Sequence, residues 1–159
     1  EYPMIIKWIK STHGIGVVKA ETKSNAVSIL EAFLRMKGKS IAQRFIKEAE
    51  GEDIRAFIVG NKVVAAMRRT AQKGEFRSNL HRGGNSEVIK LTPEETKISL
   101  KAAEVLGLNI AGVDFLRSSN GPLVIEVNAS PGLEGIETTT NIRVARHIIT
   151  FVERNAKYL

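Results

Sequence analysis

Two strand-type runs joined by a tight turn constrain this chain more than any other feature of its sequence. Residues 110–117 (IAGVDFLR) and 122–127 (PLVIEV) flank Ser118-Ser119-Asn120-Gly121. A three-residue hairpin loop commonly closes on a left-handed glycine, and Ser119-Asn120-Gly121 meets that demand. The resulting register sets Ser118 opposite Pro122, Leu116 opposite Val124, Asp114 opposite Glu126 and Gly112 opposite Asn128. Directly opposed residues share a face with Cβ atoms about 4.5–5.5 Å apart, and residues two apart on a strand share it as well. Asp114, Glu126 and Asn128 therefore converge, while Val113, Phe115, Ile125 and Val127 face the other way and anchor the sheet. Two carboxylates about 5 Å apart, at an effective dielectric near 20, repel by roughly 3 kcal/mol. Either a hard cation or a neighbouring Lys or Arg must relieve this, and the hairpin alone does not choose. Mg²⁺ takes one or two protein carboxylates and completes its shell with water and phosphate oxygens. A register slip of one residue would put Asp114 and Glu126 on opposite faces.

The other elements follow from periodicity. Residues 4–10 (MIIKWIK) and 17–20 (VVKA) read as strands around a glycine-containing loop. Ser24 caps a helix with Val27, Leu30, Phe33 and Leu34 on its inner face, stopped by Gly38. Residues 40–46 form a strand and 47–52 a polar connector. Residues 53–59 and 62–69 form a hairpin about Gly60-Asn61. Residues 70–86 read as a long polar loop, more often functional than idle. Thr92-Pro93-Glu94-Glu95 opens a helix through a capping box; Ile98, Ala102, Val105 and Leu106 form its buried face and Gly107 ends it. Asn141 caps a last helix with a stripe of Ile142, Ala145, Ile149, Val152 and Ala156. The first strand begins so close to the N-terminus that the chain reads as a piece of something longer.

Composition bounds the chemistry. The chain has 159 residues, 43% hydrophobic and 26% charged, which suits one soluble globular domain or part of one. The absence of cysteine removes disulfides, thiol catalysis and cysteine-type zinc sites together. No stretch reaches the roughly 18 apolar residues of a membrane span, and no signal peptide is read at the start. A cytoplasmic location is the expectation, with no membrane partner. The net charge of +7 suits an anionic partner, but the basic residues are scattered without a block, which argues against nucleic acid.

Three further stretches carry candidate chemistry. Residues 11–17 (STHGIGV) place Gly14 and Gly16 where backbone amides can approach phosphate, or simply form a turn. Residues 77–84 (RSNLHRGG) gather cations, amide donors and glycines, as an anion-binding loop or a plain surface loop does. Asn128 leads directly into a sharp Pro131-Gly132 turn that can present it at the sheet end. His13, His81 and His147 are too dispersed to make a metal site, and no serine has nucleophile-elbow context.

Together, FRSNLHRGG, AGVDFLR and GPLVIEVNASPGLEGIE resemble the RimK-type α-L-glutamate ligases of the ATP-grasp superfamily, from about Met4 to the final helix. The resemblance implies an α+β, partial ATP-grasp fold of antiparallel sheets flanked by helices. Residues 1–46 would be the remainder of the small lobe with its glycine-rich flap, and 47–159 the C-terminal lobe with the metal site; the N-terminal domain is read as absent. It implies that Lys7, Gly14, Gly16, Arg44, Phe45, Asp53, Arg77, Ser78 and Asn79 contact ATP. Asp114, Glu126 and Asn128 would hold two Mg²⁺ (or Mn²⁺) ions, Arg77 and Asn128 would be catalytic, and Arg82 would meet a substrate carboxylate. The hinge departs from the family's usual Gln-Glu-Tyr, reading Gln43-Arg44-Phe45, and Ser11 stands where the flap often begins with glycine. The implied reaction joins L-glutamate to the C-terminal carboxylate of a protein acceptor, a small-subunit ribosomal protein, through an acyl phosphate. The family often forms homo-oligomers. The alternatives are a nucleotide-binding fragment without turnover, and a related ligase acting on a cofactor or amino-acid carrier. A basic RNA-binding domain is a third. The ligase reading predicts that Asp114→Ala and Glu126→Ala abolish ADP release with folding retained.

Overall fold

The computed structural model describes residues 1–10, 14–78 and 83–156, which divide into two compact units, residues 1–47 and 48–159. In the first unit, strands β1 (Met4–Trp8), β2 (Val17–Ala20) and β3 (Ser40–Arg44) form an antiparallel sheet in the order β2-β1-β3. Helix α1 (Lys23–Arg35) closes its core, where Ile6 and Ala20 meet Ala26 and Phe33. The helix starts earlier than the sequence implied. Thr22, not Ser24, is the cap, its hydroxyl oxygen accepting from the Asn25 amide at 3.2 Å. Ala26 and Phe33 are buried, with Ile29 and Leu30 packed beside them, so the expected Val27 and Leu34 lie exposed.

The second unit is built on a five-stranded antiparallel sheet, order β6-β5-β4-β7-β8. Its strands are β4 (Glu52–Val59), β5 (Lys62–Thr70), β6 (Asn85–Val88), β7 (Ile110–Ser118) and β8 (Gly121–Asn128). β6 begins inside the stretch expected to be loop, residues 70–86, and runs two residues past it; its sequence, NSEV, has too little apolar alternation to announce a strand. A short 3₁₀ turn, Lys47–Ala49, precedes β4.

Helix α2 (Pro93–Val105) covers one face of this sheet. Its capping box forms as the sequence predicts: the Thr92 hydroxyl accepts from the Glu95 amide at 3.1 Å and Glu95 accepts from the Thr92 amide at 2.9 Å. Its buried face is Glu95, Ser99 and Ala103, and the expected Val105 and Leu106 are exposed. Small residues at four-residue spacing let the helix approach Ile58, Ala111 and Val113 closely, and Val105 and Leu106 fall off that stripe.

The opposite face is divided along the strands. At one end Phe57, Val59, Ala65 and Met67 are covered by Ile136 of α3 (Glu134–Thr140) and Val144 of α4 (Val144–Asn155). Burying a side chain such as Phe57 is worth about 1.5–3 kcal/mol. Helix α3 thus precedes Asn141 where no helix was expected, and the last helix, α4, begins at Val144. Asn141 is instead the C-cap of α3, in the left-handed conformation at φ 55°. The inner stripe of α4 runs Val144, Ile148, Phe151, leaving Ile149 and Val152 exposed. Both stripes satisfy helical spacing, and the chain reversal at Asn141 selects between them. At the other end of the same sheet face the strands carry charge.

Candidate nucleotide and metal site

The charged end grows out of strand register. Asp53 and Arg55 alternate with buried Ile54 and Ala56 along β4, so both point away from α2. A bulge at Phe57/Ile58 shifts the β4–β5 pairing so that Asp53 lies opposite Arg69. On the other side of β4, Arg55 lies opposite Asp114 of β7. Asp114 in turn faces Glu126, and Gly112 faces Asn128, across the β7–β8 pair.

That last register is the one expected, reached by a different route. The turn holds two residues, not three: Ser118 pairs with Gly121 and Leu116 with Leu123. A bulge between Asp114 and Phe115 then restores the pairing of Asp114 with Glu126. Val124 and Val127 consequently pack in the core, where Ile125 had been expected with Val127.

The electrostatics correct the picture of two bare opposed carboxylates. Asp114 is buried, at 3% exposure. Arg55 grips it in a fork, Nε to Oδ1 and Nη2 to Oδ2, both at 2.7 Å. Nη2 of Arg69 reaches the same Oδ2 at 3.0 Å. Arg69 also forks onto Asp53, at 2.6 and 2.7 Å, and the Ser78 hydroxyl hydrogen-bonds Asp53 as well. Nearby arginines, one of the two reliefs the sequence left open, thus neutralise Asp114. Burial raises the Asp53 carboxyl above its usual range despite Arg69. Burial opposes the charge on Arg69 too, but the Asp114 and Asp53 carboxylates outweigh it and hold the guanidinium protonated.

Glu126 is different. It is exposed, and no hydrogen bond or ion pair to it is found among the described residues. Arg55 lies across from Asp114 on β4 and Glu126 across from it on β8, so they flank it on opposite sides. A carboxylate offers about four lone-pair positions; the arginines take three of Asp114's, leaving one on Oδ1. The side-chain amide of Asn128 lies 3.5 Å from the Gly112 carbonyl. Pro131 closes over Gly112, 2.8 Å from where a Cβ would stand. The charges of buried Asp53, Arg69 and Asp114 and half-buried Arg55 cancel, so Glu126 supplies the surplus negative charge. An oxygen donor set of Asp114 Oδ1, Glu126 and Asn128 fits a hard cation that takes its remaining ligands from phosphate and water. No group of three His, Cys, Asp or Glu side chains suited to a metal exists among the described residues.

The loop of residues 71–78 holds Arg77 against Glu75, Nε to Oε1 at 3.0 Å and Nη2 to Oε2 at 2.7 Å. The amides of Phe76 and Arg77 donate to the same carboxylate. The Arg77 side chain and these amides pull the Glu75 carboxyl down to about 2. In the first unit, Lys7 is half-buried on β1 opposite Val17 and Ile41. Gly14 and Gly16 both adopt φ 70°. Arg44 is exposed, with Glu1 at 3.5 Å, and the Lys19 ammonium stands 4.7 Å from the Phe45 ring centre. Asn79, Arg82 and residues 11–13 lie outside the described residues.

A family model, the RimK-like ATP-grasp domain, matches residues 1–152. The chain belongs to the RimK-like ATP-grasp family. A relative from Hahella chejuensis named "Probable alpha-L-glutamate ligase 1" is 59% identical over 155 residues, covering 98% of this chain and 51% of that protein. One from Thioalkalivibrio sulfidiphilus, "Probable alpha-L-glutamate ligase", is 56% identical over 98% of this chain and 52% of its own length. This RimK-like chain therefore spans about half the length of these curated relatives. Among solved structures, the ATP-grasp ligase PsnB complexed with a minimal-precursor variant, Mg and ADP superposes with a TM-score of 0.73 at 22% identity, over 98% of this chain and 47% of that one. D-alanine–D-alanine ligase from Bacillus anthracis gives 0.73 at 20% identity, over 96% and 55%. The fold of the RimK-like chain is ATP-grasp, in an α+β arrangement of antiparallel sheets and helices.

Sequence reasoning missed Arg55, Arg69 and Glu75. The signal for Arg55 was present, because Asp53 and Arg55 share a face of an otherwise apolar strand. Arg69 was hidden by the bulge: an unbroken two-residue hairpin would have put Arg68 opposite Asp53. On the α2 side of the sheet Arg68 pairs with Glu87 and Glu52 instead.

Proposed function

We propose that this chain is the nucleotide- and metal-binding half of an ATP-dependent carboxylate–amine ligase that adds L-glutamate to the C-terminal carboxylate of a protein acceptor, a small-subunit ribosomal protein. Membership of the RimK-like family and the names of the relatives support the reaction class. The observation that carries the site is Glu126, an exposed carboxylate without a partner among the described residues, opposite a buried Asp114 that keeps one free position on Oδ1. In this reading Asp114, Glu126 and Asn128 hold Mg²⁺ or Mn²⁺ ions, which when bound neutralise charge on the phosphates. Lys7, the Gly14–Gly16 loop, Arg44, Phe45, Asp53, Ser78 and Asn79 bind ATP.

The chemistry runs in two steps. An acceptor carboxylate oxygen attacks the γ-phosphorus of ATP; the new P–O bond forms as the bond to ADP breaks, giving an acyl phosphate. The α-amine of glutamate then attacks the acyl carbon, phosphate leaves, and the nitrogen loses a proton as the peptide bond forms. Arg77, freed from Glu75, meets the charge developing on the transferred group. The side chains position reactants and supply no covalent nucleophile.

The half-length coverage favours one second reading, a nucleotide-binding unit that needs the remainder of the protein for turnover. Mass spectrometry of candidate acceptor peptides after incubation with Mg-ATP and glutamate tests both. A mass increase of glutamate residues, lost in Glu126→Gln, is the expected result. Nucleotide binding with no modified acceptor favours the second reading, and no nucleotide binding refutes both.

A further inference from the structure

One guanidinium in this site serves two carboxylates that belong to different halves of the proposed chemistry. Arg69 forks onto Asp53 at 2.6 and 2.7 Å and reaches Asp114 at 3.0 Å. Its side chain is 6% exposed, and those of Asp53 and Asp114 are 10% and 4% exposed. The Ser78 hydroxyl extends the chain from Asp53 into the loop before Asn79.

Stability alone does not call for this arrangement. Replacing a buried ion pair by apolar side chains of similar volume is often neutral or stabilising. The neighbouring half of the same sheet face does that with Phe57, Ala65 and Met67. On that face the buried charged side chains among the described residues, Asp53, Arg69 and Asp114, stand together beside Glu126. An arginine holds two carboxylates through a rigid planar fork, whereas a lysine is a point charge without it. Partners that orient metal ligands from behind typically change metal affinity by about 10- to 100-fold when altered.

We propose that Arg69 is a positioning residue that couples the cation-facing carboxylate of Asp114 to the nucleotide-facing carboxylate of Asp53. The inference rests on the site reading above, in which Asp114 meets the metal and Asp53 the nucleotide. With Arg69 in place, ordering one carboxylate fixes the guanidinium and so orders the other. A cation at Asp114 then strengthens nucleotide binding beyond its own contact with phosphate.

The test is calorimetric binding of ADP to the chain in excess Mg²⁺ and in EDTA, with the ratio of the two affinities as the readout. In Arg69→Lys the ratio of the two affinities falls about tenfold, because the loss in Mg²⁺ exceeds whatever loss the weakened hold on Asp53 causes in EDTA. A purely structural Arg69 would lower both arms together. An unchanged ratio in Arg69→Lys, or an equal fall in both arms, overturns the coupling. If Arg69→Lys fails to fold, Asp53→Asn carries the test: the ratio falls if Asp53 acts on the metal side through Arg69, and a native ratio overturns the proposal. A native chain that binds ADP no better in Mg²⁺ than in EDTA refutes the site reading itself, and the coupling with it. The two failures are distinct because one appears in the native chain and the other only in the variants.

Discussion

Asp114→Ala and Glu126→Ala separate what holds the second unit together from what the unit binds. Both remove a proposed metal ligand, and before the structure both were expected to leave the fold intact. The geometry divides them. Asp114→Ala deletes the partner of two guanidiniums, but Arg69 keeps its fork on Asp53, so the stranded charge is that of Arg55. Removing one side of a buried pair costs about 3–5 kcal/mol. The Arg55 side chain is 18% exposed and can recover some water, which places the cost near the lower bound, about 3 kcal/mol. For a unit of this size that is a fall in Tm of roughly 12 °C. Glu126→Ala removes an exposed side chain with no partner among the described residues and a charge opposite Asp114, so its effect is within about 0.5 kcal/mol of zero. The assay is thermal unfolding by far-ultraviolet circular dichroism. Tryptophan fluorescence is unsuitable because the single tryptophan, Trp8, lies in the first unit. Equal destabilisation by the two substitutions, or a larger loss for Glu126→Ala, would refute the division of roles.

Three other outcomes follow from the same geometry. The Glu75 carboxyl should titrate at about 2, and Arg77→Ala should return it toward the ordinary carboxylate range. Since the folded value is depressed, the contact contributes fully above the unfolded value of 4.5 and is lost as pH falls through about 2; side-chain carboxyl NMR follows it. Gly112→Ala drives a Cβ against Pro131 at 2.8 Å and should cost about 1–3 kcal/mol. Gly132→Ala, with nothing within 4 Å, should not, as urea unfolding of the pair will read. Thr92→Ala breaks the α2 capping box and should lower stability by about 1 kcal/mol in the same assay.

The limits of the sequence are visible in two bulges. The placement of every strand but β6 and the α2 capping box were legible because apolar alternation and Thr-Pro-Glu-Glu are local signals. So was the facing of Asp114 and Glu126, although the turn is one residue shorter than inferred and a bulge restores the register. In the β4–β5 hairpin no second error compensates. Its bulge decides that Arg69 rather than Arg68 meets Asp53, and nothing local in KVVAAMRR announces it. The ion-pair chain was therefore unreadable even though its members sit in plain strands. The missed α3 and the displaced α4 stripe share one cause: a left-handed Asn141 ends one helix where the sequence allowed it to begin another.

Crystals grown with Mn²⁺ and ADP offer the most direct measurement. The anomalous difference map should show a peak about 2.1 Å from Asp114 Oδ1 and from Glu126, with Asn128 beside it. Arg55 and Arg69 should still grip the far side of Asp114. Nucleotide density without a peak there, or a peak on other side chains with Glu126 left in solvent, would contradict the account.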